Sequence, residues 1–162
     1  MNKIKVIKTQ GNNMNLKYFV WVFGIAFLLA GCNGDRIFEE YEGLKSGTWH
    51  VSDTVSFEVG NLPVPNNTLV GIKYTKDYGF RNLYLRYVLK DSLGRSIETK
   101  LLDIPLFESK TGKPLGDGYG GTFTKYDTLP LDNTFSSIHL IQYMRVDELS
   151  GIETVGLKVL KK

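Results

Sequence analysis

The sequence predicts an all-β fold, an antiparallel β-sandwich of seven to eight short strands with a jelly-roll or immunoglobulin-like topology. Three observations carry this. From residue 48 onward apolar residues recur with a period of two, the spacing that sends alternate side chains to opposite faces of a sheet. Clusters of Gly, Pro, Asn and Asp, the turn formers, separate the alternating segments. No segment sustains a 3.6-residue period with caps at both ends, so the strands have only each other to bury their apolar faces against.

The chain opens with an export signal. Tyr18 to Ala30 is a stretch of thirteen residues without charge, preceded by Lys17. It is shorter than the ~20 residues a helix needs to cross a bilayer and matches the apolar core of a signal peptide. It runs into Leu28-Leu29-Ala30-Gly31-Cys32, and small residues before a cysteine are what a lipoprotein signal peptidase requires. Cleavage there makes Cys32, the chain's single cysteine, the lipid attachment site that carries palmitate or similar acyl chains. Several such chains, at ~0.8 kcal/mol per buried CH₂, anchor a protein where one does not. Translation starts at Met1 or at Met14, which begins a leader of ordinary length. Asn33 stands where the inner-membrane retention signal of enteric bacteria has Asp, which points to the outer membrane.

The expected organisation is a signal peptide over residues 1–31, a lipidated N-terminus and tether over 32–47, and a β-sandwich domain over 48–162. In the tether, Ile37 and Phe38 are expected to dock on the body, with Glu39 and Glu40 facing a partner. Val55, Phe57 and Val59 then alternate with Ser56 and Glu58, and residues 61–67, with Pro63 and Pro65, read as a turn. Leu69 to Tyr74 alternates less cleanly. Asn82 to Lys90 is the clearest strand, with Leu83, Leu85, Tyr87 and Leu89 facing one way and Tyr84, Arg86 and Lys90 the other. Asp91-Ser92-Leu93-Gly94 turns the chain back into a hairpin partner, Arg95 to Asp103. A strand at Thr122 to Leu129, one marked by Ile138, Leu140 and Met144, a turn at Asp147 to Gly151 and a last strand with Val155, Leu157 and Val159 complete the set.

Charge and cysteine usage exclude several functions. Residues 1–31 hold four of the 20 basic side chains and none of the acidic ones, leaving 16 basic against 17 acidic in the remainder. A near-neutral body lacks the clustered positive charge that nucleic acid requires. One cysteine cannot build a disulfide framework or a Cys-based zinc or iron–sulfur site. His50 and His139 are the only histidines and stand outside metal-ligand spacings such as HExxH. Ser136-Ser137-Ile138-His139 lacks the GxSxG turn that exposes a nucleophile, and no nucleophile–base pair is evident. Thr111 to Gly118 fails as a phosphate loop: Pro114 replaces the Mg²⁺-binding Ser/Thr, and no helix follows. Asp117 and Asp127 do not form a calcium-loop series. The run Gly116 to Gly121 reads as a long loop with unusual backbone angles. The expectation is a protein without catalytic activity, metal or cofactor. Its aromatic content (9 Tyr, 9 Phe and 2 Trp) either completes the core or supplies exposed tyrosines for a sugar or protein partner.

Four stretches follow in order along nearly all of the chain after Cys32: Asp35-Arg36-Ile37-Phe38-Glu39-Glu40-Tyr41, Gly47-Thr48-Trp49-His50, Thr111 to Gly118, and Gln142 to Ile152. Together they resemble the gliding-motility lipoprotein family GldH of the Bacteroidota. The resemblance implies a non-catalytic envelope lipoprotein that serves gliding and is linked to type IX secretion or, more broadly, to envelope assembly. It implies partners among the proteins of that machinery, with a glycan as the alternative ligand suggested by the tyrosines. The expected contact residues are Trp49 and His50, Lys113 and Asp117 in the loop Gly112 to Gly121, and Arg145, Asp147 and Glu148 in the loop Met144 to Ile152. Asn33-Gly34-Asp35-Arg36 matches poorly the acidic run that accompanies surface display in this phylum, which places the protein on the periplasmic side.

Overall fold

The computed structural model describes residues 35–60, 67–131 and 133–161. The expected signal peptide, Cys32 and most of the turn at 61–67 lie outside those residues. The described chain is all β. Its strands are β1 (Arg36–Gly43), β2 (Thr48–His50), β3 (Thr54–Glu58), β4 (Asn67–Thr75), β5 (Asn82–Lys90), β6 (Ser96–Pro105), β7 (Asp117–Tyr119), β8 (Thr122–Thr128), β9 (Ser137–Gln142), β10 (Glu148–Ser150) and β11 (Ile152–Leu160). A 3₁₀ turn, Lys45–Gly47, links β1 to β2.

All pairings are antiparallel. One sheet has the order β1-β11-β4-β8-β7, a second β3-β9-β5-β6, and β10 pairs with β2 as a short ribbon. The inward rows follow from the alternation. Leu83, Leu85, Tyr87 and Leu89 of β5 are completely buried, beside Ile138 and Leu140 of β9. Val70, Ile72 and Tyr74 of β4 and Val155 and Leu157 of β11 come from the other sheet, and all belong to one apolar cluster with Trp49 and Leu149. Two sheets burying their inner faces in a common core make a sandwich, and each such side chain contributes about 1.5–3 kcal/mol.

The structure differs from the expectation at four places. Arg36–Gly43 is not a tether but an edge strand, paired with β11 from Arg36↔Leu160 to Gly43↔Thr154. Phe38 packs on the core, but Glu40 and Glu42, which share its side of the strand, are exposed. An edge strand carrying charge on its inward side resists further pairing, and the same charge hid it from a search for apolar alternation. The run Gly116 to Gly121 is not a long loop, since β7 and β8 close a hairpin there, with Tyr119 opposite Thr122. The late strand stops at Gln142, so Met144 lies beyond it. The strands among the described residues number eleven because β2, β7 and β10, of three residues each, are too short to show a period.

Both sheets share two ends. At one end lie the start of β1, the end of β11, the start of β4 and the β5–β6 turn. Backbone bonds from Leu129 N–H to the Thr68 carbonyl (2.8 Å) and from Ser136 N–H to the Lys90 carbonyl (2.8 Å) close it. The β4–β5 connection, the ribbon and the segment after β9 lie at the other end, where Thr75 N–H donates to the Gly151 carbonyl at 2.9 Å.

Candidate functional site

The outward rows of the two sheets end differently. On the five-stranded sheet, Tyr41 of β1, Gly156 of β11, Gly71 of β4 and Tyr126 of β8 are consecutive partners across one row. The two rings fold inward over the glycines: a Cβ at Gly71 would meet the Tyr126 ring at 2.9 Å, and one at Gly156 would run into the Tyr41 ring. The hydroxyls of Tyr41 and Tyr126 meet at 2.7 Å, and Tyr41 also donates to Glu39 at 2.7 Å. Lys158 Nζ sits 5.5 Å from the centre of the Tyr126 ring. Burial, then the bonds to Tyr126 and Glu39, push the Tyr41 hydroxyl pKa far up. The Tyr41 bond, followed by Arg36 and Lys158, outweighs burial and holds the Glu39 carboxyl low.

The four-stranded sheet leaves its outer face open at the end bearing the ribbon. A groove of about 820 Å³ is lined there by Val51, Phe80, Asn82, Tyr84, Leu101, Gln142, Tyr143, Met144 and Arg145. Val51, Phe80, Tyr84, Leu101 and Tyr143 are each between 39% and 53% exposed, so a large share of the exposed apolar surface converges on one place. Tyr84 comes from the outward row of β5. Leu101 stands opposite Arg86 in β6 and shares its face. The wall beyond β9 is held by Gln142, whose completely buried amide donates from Nε2 to the Val146 carbonyl (3.0 Å) and accepts from Met144 N–H at Oε1 (2.8 Å). Tyr143 N–H donates to the Tyr84 carbonyl at 2.8 Å, and Tyr84 N–H to the Met144 sulfur at 3.2 Å. Phe80 is braced from the core: its ring meets Tyr78 edge-on at 5.8 Å, Tyr78 stacks on Phe107 at 6.5 Å, and Phe107 meets Tyr74 at 5.3 Å.

The charged residue in the groove's lining is Arg145, and Arg86 borders it. Arg86 places its guanidinium carbon 5.3 Å from the centre of the Tyr143 ring, and its buried Nε–H finds no hydrogen-bond partner among the described residues. Neither Arg86 nor Arg145 is ion-paired among those residues. Asp103, opposite Tyr84 in register, accepts from the side-chain amide of Asn82 and is not ion-paired with either arginine among the described residues.

Of the residues expected to meet a partner, only Arg145 lines the groove. Trp49 is a correction: it is completely buried, donates from Nε1 to the Asp53 carbonyl at 3.0 Å, and belongs to the core. His50 and Glu148 face each other across the β2–β10 ribbon, and the Asp147 carbonyl accepts from Val51 N–H at 2.8 Å, so these three build the support behind the groove. Lys113 lies in a turn whose carbonyl accepts from Glu108 N–H (2.8 Å), and Asp117 opens β7 on the other sheet. The structure does not bring them to the groove. Sequence reasoning missed Val51, Phe80 and Leu101, while Met144 opens the loop that was expected to meet a partner. The available signal was Leu101, a large apolar residue on the outward phase of a strand whose inward phase was already legible.

Two serine–histidine contacts, unseen in the sequence, are present: Ser52 Oγ with His50 Nδ1 (2.7 Å) and Ser56 Oγ with His139 Nδ1 (2.9 Å). The second pair bridges β3 and β9 in register on the outer face, outside the groove. Burial and then the Lys90 charge lower the His139 pKa, against an opposing pull from Glu58. Among the described residues no carboxylate is hydrogen-bonded to the free ring nitrogen of either histidine, the orienting contact a catalytic triad needs.

Comparison with known proteins covers the same residues as the sandwich. The family model described as GldH lipoprotein matches residues 36–159, from the start of β1 almost to the end of β11. The chain is 27% identical to a gliding motility lipoprotein GldH homolog of Christiangramia forsetii over 158 residues, covering 88% of this chain and 94% of that protein. It is 28% identical to the gliding motility lipoprotein GldH of Flavobacterium johnsoniae over 156 residues, covering 85% and 92%. With edge strand, core and groove all inside the matched region, the chain belongs to the GldH lipoprotein family.

Proposed function

We propose that this chain is a non-catalytic lipoprotein, acylated at Cys32 and held on the periplasmic side of the outer membrane, that supports gliding motility and type IX secretion or envelope assembly through protein–protein interaction. Family membership makes it a lipid-anchored protein of the cell envelope. The observation that carries the interaction role is the solvent-open apolar groove, a concentration of exposed hydrophobic surface of the kind that marks protein interaction sites. Intact-mass analysis of the protein isolated from membranes should give a diacyl- or triacylated product beginning at Cys32. Pull-down from cross-linked envelopes should recover motility, secretion or assembly components, and recovery of none of them would overturn the reading. Protease shaving of intact cells should leave the domain untouched.

A glycan ligand is the second reading, favoured by the exposed rings of Tyr84 and Tyr143. Sugars need several free hydrogen-bonding groups as well as a ring to stack on, and the groove's two amides, Asn82 and Gln142, are already engaged within the fold. Silence across a broad glycan array would remove it.

A further inference from the structure

We infer that the groove is a docking site for an extended peptide segment of a partner protein in which an apolar side chain stands beside a carboxylate. The inference rests on the interaction reading above and deepens it by naming the partner's chemistry. Charge complementarity selects the ligand. Val51, Phe80, Leu101 and Met144 offer aliphatic and aromatic wall, while the polar side chains Asn82 and Gln142 spend their hydrogen bonds internally. Besides the Tyr84 and Tyr143 hydroxyls, what remains unspent is cationic: Arg145 in the lining, and Arg86 bordering it on the Tyr143 ring, with its Nε–H buried and unpartnered among the described residues. A planar guanidinium held on an aromatic face is preorganised to take a carboxylate. A volume near 820 Å³ suits a few residues of chain rather than a whole domain face.

The chain's own length favours a protein over the anchoring bilayer as the occupant. Asn33, Gly34 and Asp35 alone separate Cys32 from Arg36, a reach of at most about 14 Å. A lipid on Cys32 therefore ties down the end of the sandwich where β1 starts, and the groove lies at the opposite end.

The test uses the mature lipoprotein in nanodiscs and three fluorescein-labelled decapeptides alternating Phe/Asp, Phe/Lys and Ser/Asp, read by fluorescence anisotropy. The Phe/Asp peptide should bind at least tenfold more tightly than either of the others. Leu101→Glu should abolish that binding, and the double change Arg86→Gln with Arg145→Gln should weaken it about tenfold and erase the preference for Asp over Lys. Unchanged circular dichroism and melting would certify the fold of each variant. As a variant that cannot be blamed on Arg86 packing, Arg145→Gln alone should reduce the preference. Equal binding of Phe/Asp and Phe/Lys peptides, binding indifferent to Leu101→Glu, self-association lost in Leu101→Glu, or binding to anionic vesicles that competes with the peptide would each overturn the inference. If envelope pull-down still recovers a partner with Leu101→Glu, the docking site is wrong while the interaction role stands.

Discussion

Tyr41 and Tyr126 on one sheet and Tyr84 and Tyr143 on the other are exposed to nearly the same degree, 41% and 41% against 39% and 53%. They do opposite things. The first pair lies over Gly156 and Gly71, and each hydroxyl satisfies the other across the row. The second pair stands on the sheet beside Arg86, its hydroxyls unpartnered among the described residues, and leaves a groove. Fractional exposure therefore does not separate a tyrosine that closes a surface from one that offers it. What separates them is what stands next to the ring in the neighbouring strand. Glycine lets the ring lie down and cover backbone, whereas Tyr84 faces Asp103 across its row, with the row of Arg86, Leu101 and Ile141 next on the same face.

If that contrast is right, the largest cost comes from filling the closed face. Gly156→Val drives a side chain into the space of the Tyr41 ring and should destabilise the fold by about 1–3 kcal/mol in urea unfolding. Tyr41→Phe keeps the ring but removes its bonds to Tyr126 and Glu39, for a loss of about 1 kcal/mol. Tyr126→Phe should cost a similar amount, and the double variant less than the sum, because the two share one bond.

Acid titration sharpens the same contrast. The Glu39 and Glu98 carboxyls are held below their ordinary 4.5; at Glu98, burial opposes this and the bonds from Tyr87, Lys100 and Asn133 outweigh it. The unfolded chain then binds protons more readily, so this stabilisation is present above pH 4.5 and lost as pH falls through the lowered values. The lowered His139 acts in the same direction at higher pH: the penalty begins as pH drops below the ordinary 6.5 and is complete below its folded value. Tyr41→Phe should flatten the carboxylate limb, since that hydroxyl is the main cause of the Glu39 shift, and Tyr84→Phe should leave the profile unchanged. The smallest effect belongs to the open face. Tyr84→Ala and Leu101→Ala should each stay within about 0.5 kcal/mol of the parent. A loss of 2 kcal/mol at either would show that these residues cover the sheet as Tyr41 does, and the contrast would fall.

Much of the core was legible. The β5 inward row, its hairpin with β6 and the Asp91–Gly94 turn follow from period two and turn chemistry, and Asp91 accepts from the N–H groups of Leu93 and Arg95 as such a turn requires. β4 was harder to read because Gly71, on its outward phase, is buried beneath tyrosine rings, so outward no longer meant polar. β1 was hidden by Glu40 and Glu42. The groove was the least legible, because Val51, Phe80, Leu101 and Tyr143 come from four separate segments and converge only through register and a buried glutamine.

Alone, the sequence determined that the chain is all β, which side chains of the long strands point inward and which family it resembles, because alternation, turn residues and ordered motifs are local properties. Tertiary structure decided which outward residues are covered and which are offered. A period of two assigns a face to each side chain but says nothing of its neighbour on the next strand, and that neighbour, glycine opposite Tyr41 or aspartate opposite Tyr84, makes the difference.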